Sequence, residues 1–234
     1  MMKRAVVVGA SSGIGREVAL LLRQQGWTVG VAARRVERLA DFELTAQIDV
    51  TTDDAGQQLL QLIERMGGLD LYFHASGIGH QNRDLHEDIE LQTVDTNALG
   101  FTRMVGTAYR YMASHGGGHI AVISSIAGTK GLGPAPSYSA TKALQNTYIQ
   151  ALEQLANARK LNIRFTDIRP GFVGTDLLND GNSYPMLLSK EKVARDIVRS
   201  IQRKRHVRVI DWRWRAITWT WRRIPRCIWR RLKL

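Results

Sequence analysis

The chain has 234 residues, of which 44% are hydrophobic and 23% charged, as is ordinary for a globular protein with one core. No run of about 18 uncharged apolar residues occurs, so no transmembrane helix is predicted, and glycines and serines interrupt the N-terminal apolar run before a signal-peptide core is complete. The single cysteine, Cys227, cannot form an internal disulfide, and we expect a cytoplasmic protein without a metal site.

Short apolar runs alternate with longer amphipathic segments up to about residue 210. Strands are predicted at RAVVVGA, WTVGVAA, LTAQIDV, LDLYFHASG, HIAVISS, LNIRFTDIRPG and HVRVID. Helices are predicted at IGREVALLLRQQG and over residues 53–66, 91–114, 138–158 and 190–204. Strands that are apolar throughout and alternate with helices are typical of a parallel sheet covered on both faces, so an α/β fold with a doubly wound parallel sheet is predicted.

The turn GASSGIG, between the first strand and the first helix, has the composition of a phosphate-binding loop. Glycines at Gly9, Gly13 and Gly15 permit a tight turn and a close approach of the backbone to a pyrophosphate. The amide groups and the positive end of the helix dipole face that anion. The spacing differs from the commoner G-x-G-x-x-G, and a tight turn that needs glycine only for steric reasons is the alternative to a nucleotide site.

Two arginines follow the second strand, in the stretch VAARRVERL. An acidic residue at this place binds the adenosine ribose of NAD, whereas arginine accommodates the 2′-phosphate of NADP. Here Ala33 occupies the acidic position, and Arg34 and Arg35 come next. NADP(H) is therefore favoured over NAD(H), with a solvated arginine pair as the alternative.

A tyrosine and a lysine are four residues apart in SYSATK, which places Tyr138 and Lys142 on one face of a helix. A free tyrosine titrates near pH 10, and a neighbouring ammonium group lowers that pKa toward the range useful for proton transfer. Ser125 ends the fifth strand, and Asn97 lies in the preceding helix. Ligands bind at such strand ends, so these four residues are candidate catalytic residues.

In motif order and spacing the chain resembles the short-chain dehydrogenase/reductase family from about Arg4 to Ile210. The matching features are GASSGIG, Asp49 with Val50, Asn97, Ser125, Tyr138, Lys142 and PGFVGTD. The resemblance implies a Rossmann-type sheet of about seven strands, a small carbonyl or alcohol substrate, and a homodimer or homotetramer.

The resemblance also implies a role for each residue. Tyr138 would be the general acid in carbonyl reduction and the base in alcohol oxidation, and Ser125 would orient the substrate oxygen. Lys142 would hold the nicotinamide ribose and lower the pKa of the tyrosine, and Asn97 would anchor a water that links the lysine to solvent. The implied cofactor contacts are Gly9, Ser11, Ser12, Gly13, Ile14, Gly15, Arg34, Arg35, Asp49, Val50, Gly77, Tyr138, Lys142, Pro170, Val173 and Thr175.

The chain departs from the family pattern at two places. Val8 replaces a threonine before the first glycine of the turn, and HASG, from His74 to Gly77, replaces the usual Asn-Asn-Ala-Gly after the fourth strand. We interpret His74 as a core histidine, with a catalytic or pH-sensing role as the alternative.

The basic character of the chain belongs to its last 32 residues. From Arg203 to the end, 12 Lys and Arg face one Asp, which gives 12 − 1 = +11 of the total net charge of +12. Five of the six tryptophans also lie there. We therefore divide the chain into a domain over residues 1–210 and a Trp/Arg-rich segment over residues 211–234.

On a helical wheel this segment has one apolar face, and Pro225 is expected to kink or divide it. The predicted face consists of Trp214, Ile217, Trp221, Ile224, Ile228 and Leu232, with Arg215, Arg222, Arg226 and Lys233 elsewhere. Peripheral attachment to an anionic membrane is favoured, packing on a partner subunit or on the protein's own domain comes next, and nucleic-acid binding is disfavoured because the body is neutral.

The combined prediction is an NADP(H)-dependent oxidoreductase that interconverts a carbonyl and an alcohol, with lipid-like substrates included. Two alternatives stay open. One is a nucleotide-binding sensor or scaffold at a membrane surface without turnover, and the other is an isomerase or dehydratase on the same fold.

Overall fold

In a computed structural model, which describes residues 3–178 and 184–232, the chain folds around one parallel sheet. The described strands are β1 (Arg4–Val8), β2 (Thr28–Ala33), β3 (Leu44–Gln47), β4 (Leu71–His74), β5 (Gly118–Ile123), β6 (Ile163–Pro170), β7 (Val173–Gly174), β8 (Leu188–Ser189) and β9 (Val207–Ile210). The described helices are α1 (Gly13–Gln24), α2 (Ala55–Arg65), α3 (Glu87–Val94), α4 (Phe101–Ser114), α5 (Pro136–Ala158), α6 (Lys190–Gln202), α7 (Trp212–Arg223) and α8 (Arg226–Trp229).

Seven strands form the main sheet in the order β3-β2-β1-β4-β5-β6-β9, and every neighbouring pair is parallel. The chain therefore winds outward from β1 in one direction and from β4 in the other. This arrangement confirms the predicted doubly wound sheet. It also opens a crevice at the carboxyl ends of β1 and β4, which is where ligands bind in open α/β sheets.

Two apolar layers cover the sheet. Ala5 and Val7 pack in the layer with α1 and α6, whereas Val6 and Val8 pack in the layer with α2, α4 and α5. Successive strand residues face opposite layers, so each must be apolar, and this explains the continuous apolar runs in the sequence.

The C-terminal segment packs on the domain. Trp214 of α7 is 3% exposed and lies against Gly171, where a Cβ atom would collide with the indole ring. The Phe172 ring meets that indole edge to face at 5.4 Å. The Lys130 Nζ donates to the Ile224 carbonyl at 3.0 Å.

The structure divides the segment at Pro225, as predicted, and shows where the predicted apolar face lies. Trp214 is buried and Ile217 is half-buried on the domain, which corresponds to the second of the three interpretations. Beyond the proline the face does not continue, because Ile228 and Leu232 are exposed. Lys233 lies outside the described residues. Among the described helices, none has the length and apolar character needed to span a bilayer.

Trp214→Ala should lower the free energy of unfolding by about 3 kcal/mol, because it leaves a cavity between α7 and the strand end at Gly171. Trp219→Ala is the matched control on the same helix and should cost less than about 0.5 kcal/mol, since Trp219 is 59% exposed. Urea denaturation followed by circular dichroism measures both. Equal small losses would mean that α7 does not dock.

Candidate active site

The turn after β1 is shaped for a close approach of another backbone. Gly9 has a φ of +90°, and a Cβ atom there would overlap the backbone of Ser76, which follows β4. The carbonyl of Gly9 in turn leaves no room for a Cβ at Gly15. The glycines therefore hold the two central strand ends together and start α1 at the crevice.

The amino end of α1 presents backbone amides that no described side chain caps and that could bind an anion. Ser12 is its N-cap but makes no side-chain capping hydrogen bond, and the first turn contains no acidic residue. Thr175 lies across the turn, with its methyl group 3.3 Å from the position of a Cβ on Gly13. Uncapped amides at a helix start bind phosphate, so Gly13, Ile14 and Gly15 could hold a pyrophosphate.

The adenosine end of this crevice has basic and apolar parts. Arg34 and Arg35 are exposed at the end of β2, and neither guanidinium is in an ion pair with another described residue. Asp49 follows β3 and accepts hydrogen bonds from the Thr51 amide at 3.0 Å and hydroxyl at 2.8 Å. Val50 is 3% exposed. These residues fit a nucleotide that carries an additional phosphate.

A π-helical turn at Asp95–Gly100, between α3 and α4, places Asn97 toward the sheet edge. The Asn97 Nδ2 donates to the Ile78 carbonyl at 2.6 Å, and its Oδ1 accepts from the Ile78 amide at 2.9 Å. This pair of bonds fixes the segment after Gly77. The predicted long helix over residues 91–114 is thus interrupted at its candidate catalytic residue.

Ser125 and Tyr138 are brought together at the end of β5. The Ser125 Oγ accepts a hydrogen bond from the Ala127 amide at 3.1 Å, which orients the hydroxyl. Burial raises the pKa of the Tyr138 phenol, and a side-chain hydrogen bond with Ser125 opposes that rise. Gly79 packs against the ring, since a Cβ there would lie 2.6 Å from Tyr138 Cε2. Tyr138 is therefore a protonated, oriented phenol at neutral pH.

Lys142 lies one turn further along α5 and is 4% exposed. Its Nζ donates to the Ile123 carbonyl at 3.2 Å and lies 5.6 Å from the centroid of the Tyr138 ring. Burial lowers its pKa to about 8, and the charge of Asp167 acts in the opposite direction. The side chain is therefore mostly an ammonium group at neutral pH, next to the candidate proton donor.

Gln145 belongs to this cluster and was not identified from the sequence. It is fully buried, its Oε1 accepts from Lys142 Nζ at 2.9 Å, and its Nε2 donates to the Asn97 carbonyl at 2.8 Å. The Gln145 carboxamide thus links Lys142 to the backbone carbonyl of Asn97, the residue that was expected to anchor a water between the lysine and solvent. A polar residue three positions after Lys142, on the same helix face, was the available signal.

Asp167 is the second residue that sequence reasoning missed. It is 2% exposed on β6, where its carboxylate accepts from the Ser124 hydroxyl and pairs with Arg169 at 2.6 Å. Its charge partly offsets the burial of the ammonium group of Lys142. Nothing in the local pattern of β6 marked this aspartate as different from a surface residue.

His74 ends β4 as a neutral core residue. It is fully buried, its Nδ1 lies 2.8 Å from the Tyr72 hydroxyl, and its ring packs edge to face on Phe101 at 5.1 Å. Burial lowers its pKa to about 3, and the charge of Lys142 acts in the same direction. The core interpretation is the one that fits, because the ring does not titrate near neutral pH.

The substrate side of the crevice follows β6. Pro170 ends this strand, Val173 is buried in β7, and Thr175 comes next. The Tyr184 ring packs on Phe172 at 4.7 Å. Residues 179–183 of the short connecting segment lie outside the described residues.

Comparisons with known proteins identify the family of the chain. The family model for short chain dehydrogenases matches residues 3–184. An uncharacterized oxidoreductase of Myxococcus xanthus is 33% identical over 197 residues, which are 79% of this chain and 77% of the relative.

Solved structures share the fold. A short-chain type dehydrogenase/reductase from Mycobacterium marinum has a TM-score of 0.79 at 26% identity, with 89% of this chain and 94% of that chain covered. An alcohol dehydrogenase from the archaeon Thermococcus sibiricus, complexed with 5-hydroxy-NADP, has a TM-score of 0.77 at 23% identity, with 90% and 96% covered.

The buried ammonium group predicts a specific pH dependence of stability. Lys142 has an ordinary pKa of 10.5 and a folded pKa of about 8, so between these values the unfolded chain binds more protons and the folded state gains stability as pH rises. The free energy of unfolding of wild type relative to Lys142→Met should therefore rise by about 2 kcal/mol between about pH 7 and about pH 9.5.

Gln145→Leu provides a second test of this assignment. Loss of the Oε1 acceptor should lower the pKa of Lys142 further, so the gain in stability should begin at a lower pH than in wild type. Urea titrations across this pH range measure all three proteins. A difference between wild type and Lys142→Met that does not change with pH would contradict the assignment.

Proposed function

The chain belongs to the short-chain dehydrogenase/reductase family, and we propose that it is an NADP(H)-dependent oxidoreductase that interconverts a carbonyl and an alcohol. The observation that carries this proposal is the cluster of Ser125, Tyr138 and Lys142 at the carboxyl end of β5, in which the Lys142 Nζ lies 5.6 Å from the centroid of the Tyr138 ring and the Ser125 side chain opposes the rise in the pKa of the phenol. A substrate oxygen that accepts a hydrogen bond from both Ser125 and Tyr138 would lie at this strand end, near the ammonium group.

In the direction of reduction, Ser125 donates a hydrogen bond to the carbonyl oxygen, and Tyr138 transfers its phenolic proton to that oxygen as negative charge develops there. The nicotinamide cofactor supplies the hydride when bound. Lys142 stabilises the tyrosinate that remains, because its ammonium group lies near the ring. Gln145 and the Ile123 carbonyl hold that ammonium group in place.

The residues for the cofactor follow the crevice. The amides of Gly13, Ile14 and Gly15 hold the pyrophosphate, together with Gly9, Ser11 and Ser12 of the turn. Arg34 and Arg35 would hold the 2′-phosphate. The choice of NADP is supported by the alcohol dehydrogenase from Thermococcus sibiricus, a protein of the same fold that is complexed with 5-hydroxy-NADP. Elsewhere along the cofactor, Asp49 and Val50 would contact the adenine, and Gly77 would line the crevice. Pro170, Val173 and Thr175 would hold the carboxamide of the nicotinamide ring.

Tyr138→Phe should reduce turnover of a carbonyl substrate by about 1,000-fold, because phenylalanine lacks the hydroxyl that donates the proton. NADPH binding, followed by fluorescence titration, should change less than about 3-fold. Tyr148→Phe is the matched control, since Tyr148 lies on the same helix and is only half-buried, and it should keep wild-type turnover. Retained turnover in Tyr138→Phe would disprove the mechanism.

Arg34→Ser combined with Arg35→Ser should weaken NADPH binding by about 10- to 100-fold through loss of charge-assisted hydrogen bonds to the 2′-phosphate, and should leave NADH binding unchanged. Titration of both cofactors measures the difference. Arg159→Ser, an exposed arginine after α5, should affect neither. An equal effect on both cofactors would rule out the role in NADP recognition.

We also propose the setting in which the enzyme works. It is a cytoplasmic homodimer or homotetramer, in which residues 1–210 form the catalytic domain and residues 211–234 an appended segment for peripheral attachment to a membrane. The charge and the tryptophans of that segment support the attachment.

A further inference from the structure

Helix α7 has two different faces. Its inner face, at Trp214, Ile217, Thr218 and Trp221, is buried or half-buried on the domain. Its outer face, at Trp212, Arg215, Ala216, Trp219, Thr220 and Arg223, is exposed. Each set follows the spacing of three and four residues that keeps side chains on one side of a helix. The apolar face seen on a helical wheel therefore anchors the helix, and a second face is left for a partner.

The outer face is aromatic and basic together. Trp212 is 71% exposed and Trp219 is 59% exposed, and the guanidinium of Arg223 stacks on the Trp219 ring at 3.5 Å. In α8 the aliphatic Ile228 is 52% exposed. Tryptophan prefers the boundary between headgroups and acyl chains, and arginine attracts anionic headgroups while its stem covers apolar surface.

The charge of this surface is uncompensated. The exposed arginines are Arg215, Arg222, Arg223, Arg226, Arg230 and Arg231, and the only acidic residue from Arg203 onward, Asp211, pairs with Arg213 at 2.9 Å. A second copy of this face would bring like charges together, which disfavours self-association. Nucleic acid would match the charge, but it binds through basic and aromatic side chains and would leave the exposed aliphatic Ile228 and Leu232 without an apolar partner.

The inner face fixes this surface next to the active site. Trp214 lies on Gly171, directly after Pro170 of the proposed cofactor site. The Trp229 Nε1 donates to the Gly131 carbonyl at 2.8 Å, in the segment that follows Ser125. Helix α7 has a diameter of about 10 Å. This helix therefore separates the outer face from the segments that follow β5 and β6, the two strands that end at the candidate active site.

We propose that the outer face of α7, with α8, docks on an anionic lipid bilayer, and that the docked enzyme takes an apolar carbonyl substrate from that bilayer. The substrate part rests on the proposed oxidoreductase function, whereas the docking does not. Docking through α7 keeps the site edge within one helix diameter of the lipid, so a membrane-dissolved ketone or aldehyde reaches it without crossing bulk water.

Flotation with phosphatidylcholine vesicles, with and without phosphatidylglycerol, tests the docking. The full chain should float with the anionic vesicles alone, and less as salt is raised. Arg215→Gln, Arg222→Gln and Arg226→Gln combined should weaken binding on the order of 100-fold. These side chains are exposed and make no described ion pair, so the fold should survive, as circular dichroism would verify.

The matched control carries the same change at three exposed arginines of the body, Arg159, Arg164 and Arg195, and should float like wild type. Trp212→Ser combined with Trp219→Ser should also lose flotation. Equal flotation of the tail and body variants would overturn the proposal. So would binding to duplex DNA at lower protein concentration than to anionic vesicles in the same salt.

Turnover separates the two parts of the inference. The tail variants should reduce a water-soluble carbonyl at the wild-type rate and should lose activity on a ketone dissolved in anionic vesicles. Loss of both activities would mean that these side chains support the catalytic fold, and it would overturn the uptake of substrate from the bilayer. Absence of turnover in wild type with every carbonyl would count against the oxidoreductase function and leave the flotation result standing.

Discussion

The buried ammonium group of Lys142 is the constraint on which the rest of the site depends. Lys142 is only 4% exposed, and a buried charge needs polar or charged partners to offset its loss of hydration. The partners are the Ile123 carbonyl, the Gln145 carboxamide and the carboxylate of Asp167. Each comes from a different element, namely β5, α5 and β6. The ammonium group is therefore held in a fixed position beside Tyr138 only when these elements are assembled, which couples the proposed chemistry to the integrity of the sheet edge.

Helix α7 packs on the same edge of the sheet, although it lies beyond the dehydrogenase motifs. The indole of Trp214 occupies the space that a side chain at position 171 would fill. At the far end of the helix, the Ile224 carbonyl accepts a hydrogen bond from Lys130, in the segment that follows Ser125. The helix thus closes over two strand ends at once. Under the proposed membrane docking, this position would connect the bilayer surface to the site without a flexible linker.

Much of the fold could be predicted because its signals are local. The strand runs are apolar on both faces, and the turn glycines and the spacing of Tyr138 and Lys142 are short-range patterns. Gln145 and Asp167 were missed because their importance arises from burial beside Lys142, which depends on how α5 packs on β5 and β6. The π-helical turn at Asn97 was also invisible, since the sequence there reads as ordinary helix.

The C-terminal segment shows the other limit of sequence reasoning. A helical wheel identifies an apolar face but not what covers it, and it assumes one continuous helix. Pro225 breaks the helix, and the domain itself takes up Trp214. The sequence alone does not show that Trp212 and Trp219 are exposed, because their exposure depends on which face of α7 packs on the domain.

The proposed oxidoreductase function is best tested by cofactor oxidation with the full chain across a panel of ketones and aldehydes, including lipid-like ones, with NADPH and with NADH. We expect carbonyl-dependent oxidation of NADPH for at least one member of the panel, and slower oxidation of NADH. Tight NADPH binding without oxidation by any carbonyl would contradict the proposed function, as would conversion of a substrate with no net change in the cofactor.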